Sequence, residues 1–181
     1  MDSTIASLLA AVAGVVGTLL SPVLAQRSMA RTALATAEAE QQARREEREE
    51  SARIASLEEK RQAYATLNSL ARVARNVMKD SVRYYHERGE VAAEDLELVT
   101  NARLAYQECY DNAQMILPDH ILPLASRLNG SLAKGFHLIK SLATQGTPTP
   151  EEIRDHCEGP ILQMVTEMRT AMRKDLGVSS S

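Results

Sequence analysis

Residues 121–142 read ILPLASRLNGSLAKGFHLIKSL and contain the clearest amphipathic pattern in the chain. Large apolar side chains recur there every three or four residues, which is the spacing of one face of an α-helix. Polar residues occupy most of the positions between them, so this helix needs other apolar surfaces to cover one of its sides. The stripe consists of Ile121, Leu124, Leu128, Leu132, Phe136, Ile139 and Leu142.

Helix start and stop signals on either side of this stretch predict the helices that cover it. Gly89 and Pro118 are natural helix ends, and Thr149 is a natural N-cap because Pro150 and two glutamates follow it. Gly159-Pro160 predicts a kink or a short break. We therefore expect an antiparallel bundle domain at residues 54–178, a frayed tail at 179–181, and helices at about 54–88, 92–117, 119–144 and 150–176.

Composition favours an all-α fold of one domain with an appendage. The chain has 181 residues, of which 3% are aromatic and none is Trp, and this composition argues against an all-β or α/β enzyme. A net charge of −3 gives no reason to expect nucleic-acid binding. The high Ala and Arg usage with few lysines is typical of bacteria with GC-rich genomes.

The N-terminal segment predicts a single membrane-spanning helix, with an anchor at residues 1–26. Residues 5–24 read IASLLAAVAGVVGTLLSPVL, and these twenty uncharged residues would span about 30 Å as a helix. A buried soluble helix and a cleaved signal peptide are the alternatives, although a signal peptide would begin with cations, whereas this chain begins with Asp2. Because Arg27 and Arg31 follow the span, the positive-inside rule places the N-terminus outside and the bundle in the cytoplasm. The reverse topology stays as an alternative.

Small residues recur at four-residue spacing along this predicted span. Such stripes allow close helix packing, so they predict self-association in the bilayer, and the competing interpretation is that Ala and Gly are simply common in membrane helices. The predicted packing positions are Ala6, Ala10, Ala13, Gly14, Gly17 and Ser21.

Residues 27–53 contain neither Pro nor Gly and predict a charged helical stalk or coiled coil. Arg45 with Glu49, and Glu49 with Arg53, have the i, i+4 spacing of helical ion pairs. Residues 27–88 have 13 basic and 10 acidic side chains, whereas residues 89–181 have 8 basic and 13 acidic ones. The expected arrangement is a basic segment near the membrane and an acidic head beyond it.

Candidate chemistry in the chain is sparse. His156 and Cys157, with Cys109 elsewhere, form the densest set of potential ligands, but neighbours on a helix point about 100° apart, which favours packed thiols over a metal site. We therefore predict no catalytic, cofactor or metal site and no enzymatic activity. Candidate partner surfaces are the aromatic pair and the methionine stripe, for which core packing is favoured: Tyr84, Tyr85, Met164, Met168 and Met172.

The order of span, charged helix and helical region resembles the b subunit of rotary ATP synthases, and also small holin-like coiled-coil proteins. This resemblance covers about the first 85 residues and implies an architecture but no residue roles. The predicted function is a membrane-anchored, non-enzymatic scaffold or adaptor that oligomerises and positions an unknown protein partner at the cytoplasmic membrane, without cofactor or nucleic acid. The alternative is a membrane-perturbing, pore-forming effector of holin type whose bundle regulates assembly of the spans.

Overall fold

The computed structural model describes the backbone of residues 2–178 and the side chains of residues 36–178. The helices are α1 (Asp2–Arg88), α2 (Ala93–Ala113), α3 (Leu122–Gln145), α4 (Pro150–His156) and α5 (Leu162–Asp175), and a π-helical turn, Cys157–Ile161, lies between α4 and α5. No strand occurs within these residues, so the predicted all-α class is confirmed for them. The chain divides into two compact units, residues 1–55 and 56–181.

The described side chains of the first unit, residues 36–55 of α1, are exposed throughout. Hydrogen bonds run along the helix surface, from Gln42 to Glu46 at 3.1 Å and from Arg53 to both carboxylate oxygens of Glu50 at 2.9 Å. Arg53 therefore pairs with Glu50 three residues back, and not with the predicted Glu49. The hydrogen bond and then the charge of Arg53 lower the pKa of Glu50.

The predicted membrane span at residues 5–24 lies outside the residues whose side chains are described. The same holds for its packing positions Ala6, Ala10, Ala13, Gly14, Gly17 and Ser21, for Arg27 and Arg31, and for the tail at 179–181. From residue 36 to residue 178, no helix is both long and apolar enough to cross a bilayer. The anchor and its orientation stay predictions.

The second unit is a bundle of four antiparallel helical segments. Contacts join α1 to the last segment in reverse order: Lys60 forms an ion pair with Asp175 and Lys79 with Glu158, and Nε2 of His86 lies 3.5 Å from Oε1 of Glu151. The amphipathic stripe of α3 faces the core, as its spacing predicts. Within that stripe Ile121, Leu128, Leu132, Ile139 and Leu142 are buried, and Leu124 and Phe136 are half-buried.

Two helix boundaries differ from the expected ones. α2 ends at Ala113 instead of near Leu117, and α3 begins at Leu122 instead of near residue 119. Pro118 disfavours helical geometry at the residue before it, and its carbonyl accepts hydrogen bonds from the amides of Ile121 and Leu122. The intervening turn nevertheless buries Leu117 and Ile121, so it contributes to the core.

The last helical segment is shaped by two local signals. Thr149 caps α4 in a capping box: its hydroxyl accepts from the amide of Glu152, and its own amide donates to the Glu152 carboxylate at 2.8 Å. This confirms the predicted helix start. At Pro160 the missing amide hydrogen is accommodated by the π-helical turn, which takes the place of the predicted kink or break.

Gly135 allows α1 and α3 to approach closely across the core. A Cβ at this position would lie 2.9 Å from Sδ of Met78 and 3.4 Å from Cδ1 of Ile161, both of which are fully buried. A methyl group at this position would therefore have to displace the thioether of Met78.

Candidate functional site

An open groove of about 440 Å³ lies between α1 and α2. Gln62, Thr66, Glu108 and Asn112 form its polar edge, and Glu108 is the one charged side chain among the groove-lining residues. The floor is made of small or aliphatic side chains: Ala63, Leu70, Ala105, Cys109, Ala113 and Ile116.

Exposed apolar side chains extend this groove along both helices. Val73 lies seven residues after Thr66, and Leu98 lies seven residues before Ala105, so each falls within about 20° of a groove residue on its own helix. Val73 is 45% exposed and Leu98 is 57% exposed. The apolar surface therefore continues past the cavity toward the Gly89 end of the helix pair.

The charge around the groove is acidic. α2 has five carboxylates and one cation, and of the carboxylates Asp95 is buried in an ion pair with Arg88 at 3.1 Å. The other four are exposed, and none of them takes part in an ion pair in the described part of the chain: Glu94, Glu97, Glu108 and Asp111. On α1, Lys60, Arg75 and Lys79 instead contact α5 or the π-helical turn. These three cations therefore do not neutralise the carboxylates at the groove.

The two cysteines have different environments. Cys109 is half-buried in the groove, and burial, followed by the charge of Glu108, raises the pKa of its thiol. Cys157 is fully buried, and burial raises the pKa of its thiol to about 11. Neither thiol has the lowered pKa that activates a nucleophile.

Asp175 joins three parts of the bundle at the end opposite Gly89. Its Oδ2 accepts hydrogen bonds from the Tyr64 hydroxyl at 2.8 Å and from Nζ of Lys60 at 3.0 Å, and Nε2 of His120 lies 3.5 Å from Oδ1. Burial would raise the pKa of Asp175, but these hydrogen bonds and the charges of Lys60 and His120 outweigh it and lower that pKa. The Asp175 carboxylate thus connects α5 to α1 and to the turn between α2 and α3.

Arg103 and Tyr106 place polar atoms inside the bundle. Nη1 of Arg103 and the hydroxyl of Tyr106 are fully buried, and neither atom has a hydrogen-bond partner within residues 36–178. Arg103 is 9% exposed, and burial lowers the pKa of its guanidinium. A buried polar atom without a hydrogen-bond partner costs free energy on folding, so burial of Nη1 of Arg103 opposes the stability of the bundle.

The predicted ligand-rich segment at His156 and Cys157 packs as structural side chains. Nε2 of His156 lies 3.0 Å from the carbonyl oxygen of Ser131, and since a carbonyl only accepts, this nitrogen donates. The carbonyl of Cys157 accepts from Nε of Arg75 at 2.8 Å. In the part of the chain with described side chains, no group of three His, Cys, Asp or Glu residues is arranged to hold a metal ion.

Most side chains of the candidate partner surfaces pack against other residues of the chain. Tyr84 and Tyr85 are both half-buried, and the guanidinium groups of Arg83 and Arg88 lie 5.0 and 4.9 Å from the ring centre of Tyr84. Of the methionine stripe, Met164 is half-buried, whereas Met168 and Met172 are buried. Met168 and Met172 are therefore core residues and offer no partner surface, because the face of α5 that they share is packed against the bundle.

Sequence reasoning did not predict the groove. The available signal was the weak amphipathic character of α2, where Leu98 and Leu104 lie off the main apolar stripe and four exposed carboxylates accompany them.

Comparison with protein-family models, curated proteins and solved structures found no match to this chain.

Proposed function

We propose that this protein is a non-enzymatic, single-pass membrane-anchored scaffold that oligomerises and positions a protein partner at the cytoplasmic side of the membrane. The observation that supports it best is the exposed apolar groove between α1 and α2. A concave apolar surface with few charges suits docking of another protein, whereas catalysis requires titratable groups brought together. The uncharged run before Arg27 supports the anchor.

Carbonate extraction of membranes that contain the full chain tests the anchor. We expect the protein to stay in the pellet at high pH, because a spanning helix is held by the hydrophobic effect and not by charge. Release of intact protein into the supernatant would contradict the anchor. A C-terminal alkaline phosphatase fusion tests the orientation, since phosphatase activity would place the bundle outside the cytoplasm.

Self-association is tested by replacing Gly14 and Gly17 with Leu in the full chain. Each added side chain holds neighbouring spans apart, so the fraction of oligomer in detergent should fall. A matched control is Val15→Leu, which changes an already large residue of the same segment. Full-length protein that is monomeric by light scattering across several detergents would contradict the oligomer.

The second candidate function is a pore-forming effector, and the small-residue stripes at Ala6, Ala10 and Gly14 favour it. Cells that express the full chain, or residues 1–50 alone, would be followed with a dye for membrane potential. Depolarisation by either protein would favour the pore over the scaffold. An unchanged membrane potential with both proteins would exclude the pore-forming function.

A further inference from the structure

We propose that the α1–α2 groove binds a cationic amphipathic helix of a partner protein. This inference rests on the scaffold function proposed above and specifies the chemistry of the partner. Three properties of the groove carry it: its length, its apolar floor and its acidic surroundings.

The length of the groove suits a short helix. From Ala63 to Val73 along α1 the apolar surface covers eleven residues, or about 15 Å, which is nearly three helical turns. A furrow between two antiparallel helices accepts the ridge of a third helix, whose backbone hydrogen bonds are already satisfied internally. Apolar side chains at i, i+4 and i+7 of the incoming helix would lie along Leu70, Ala105 and Cys109.

The charge pattern selects a cationic partner. Glu108 lines the groove itself, and Glu94 and Glu97 lie eleven residues before Ala105 and Glu108, so they share its face of α2; none of the three has an ion pair in the described part of the chain. Lys or Arg side chains that flank the apolar stripe of a partner helix would pair with them, which adds specificity and speeds encounter. Anionic lipids and nucleic acids would be repelled by the same carboxylates.

The same charges disfavour a second copy of this chain as the occupant. Symmetric pairing through this face would bring the α2 carboxylates beside the groove in one copy close to those of the other: Glu94, Glu97 and Glu108. Like charges placed opposite each other weaken such a contact. A partner with opposite charge is therefore the occupant that the surface fits.

Cys109 provides a reporter at the floor of the groove. The full chain in non-ionic detergent would be treated with N-ethylmaleimide, and the alkylation rate of Cys109 measured by mass spectrometry with and without a probe peptide. The probe is a synthetic helix of about 18 residues, with Leu on one face and Lys on the other. A control peptide has Glu in place of every Lys.

The Lys peptide should slow alkylation of Cys109 about tenfold at saturation, and the Glu peptide should leave the rate unchanged. In the variant L98K/E108K, the peptide concentration for half-protection should rise at least about tenfold. For each variant the alkylation rate with peptide is compared with the rate without it, because a new cation also changes the reactivity of the Cys109 thiol. The matched control L162K/E47K makes the same changes on exposed residues outside the groove and should behave as the unmodified protein.

Absence of protection by the Lys peptide would overturn the proposal, and so would equal protection by both peptides. An unchanged peptide concentration for half-protection in the L98K/E108K variant, with native helicity by circular dichroism, would also overturn it. If the alkylation rate of Cys109 falls as the protein concentration rises, without any peptide, the groove binds a second copy of the chain. That result would also overturn the proposal. The assay uses detergent, so its failure is distinct from release of the protein in the carbonate extraction, which bears on the anchor.

Discussion

Replacing Gly135 by Ala in the full chain should destabilise the bundle, although the same change elsewhere on α3 should stabilise it. Ala has a higher helix propensity than Gly by about 1 kcal/mol, and this gain applies equally at the exposed Gly130, where an added Cβ meets nothing within 4 Å. At Gly135 the added methyl would lie 2.9 Å from Sδ of Met78, whereas ordinary contact distances are about 3.5–4.0 Å. Met78 and Ile161 are fully buried, so the thioether of Met78 has to shift within a packed core, and such overpacking typically costs about 1–3 kcal/mol.

The expected net effect of Gly135→Ala is a loss of about 0–2 kcal/mol, against a gain of about 0.5–1 kcal/mol for Gly130→Ala. Urea unfolding followed by tyrosine fluorescence measures both, because all five tyrosines lie between residues 64 and 110 of the bundle. In a background with Met78→Ala, the Gly135→Ala change should be tolerated better, and the double-mutant cycle should give a coupling of about 1–3 kcal/mol. Equal stabilities of the two alanine variants would refute the close packing of α1 and α3 at this glycine.

Three further predictions test the interior of the bundle. Arg103→Met should raise the free energy of unfolding by about 1–2 kcal/mol, because it removes the buried Nη1 atom that has no hydrogen-bond partner within residues 36–178. A variant that is less stable in urea would show that Nη1 does have a partner. A thiol reagent at pH 8 should modify Cys109 in the native protein and leave Cys157 unmodified until the chain unfolds. The reason is that Cys157 is buried and that burial raises the pKa of its thiol to about 11. Equal modification of the two cysteines in peptide mapping would contradict this burial. Asp175→Asn should destabilise the bundle by about 1.5–3 kcal/mol at pH 7. Because folding lowers the pKa of Asp175 below its usual 3.8, its stabilisation is complete above that pH and is lost as the pH falls through the lowered value. The stability difference between the variant and the unmodified protein should therefore shrink below about pH 4, and a difference that stays constant down to pH 2 would rule out this linkage.

The features that sequence analysis predicted well depend on residues close together in the chain. The apolar spacing of residues 121–142 predicts a helix with one buried face, and Thr149 with Glu152 predicts the cap that α4 has. Gly159-Pro160 predicts an interruption, although not that the interruption is a π-helical turn. The early end of α2 was not predicted, because the turn from Gln114 to Ile121 is held by burial of Leu117 in the core as well as by Pro118.

The all-α class, the helix start and stop signals and the sign of the charge on each segment follow from the sequence, because propensity, capping and charge act over a few residues. Which helix faces stay open depends on tertiary packing. Val99 is fully buried and its neighbour Leu98 is 57% exposed, while Arg103 is buried on the same helix. Apolar and charged residues alike take their exposure from the helices that flank them, and those neighbours are set by packing between segments far apart in the chain. The groove between α1 and α2 exists for that reason, since packing of the described helices leaves Leu70 half-buried and Ala105 exposed.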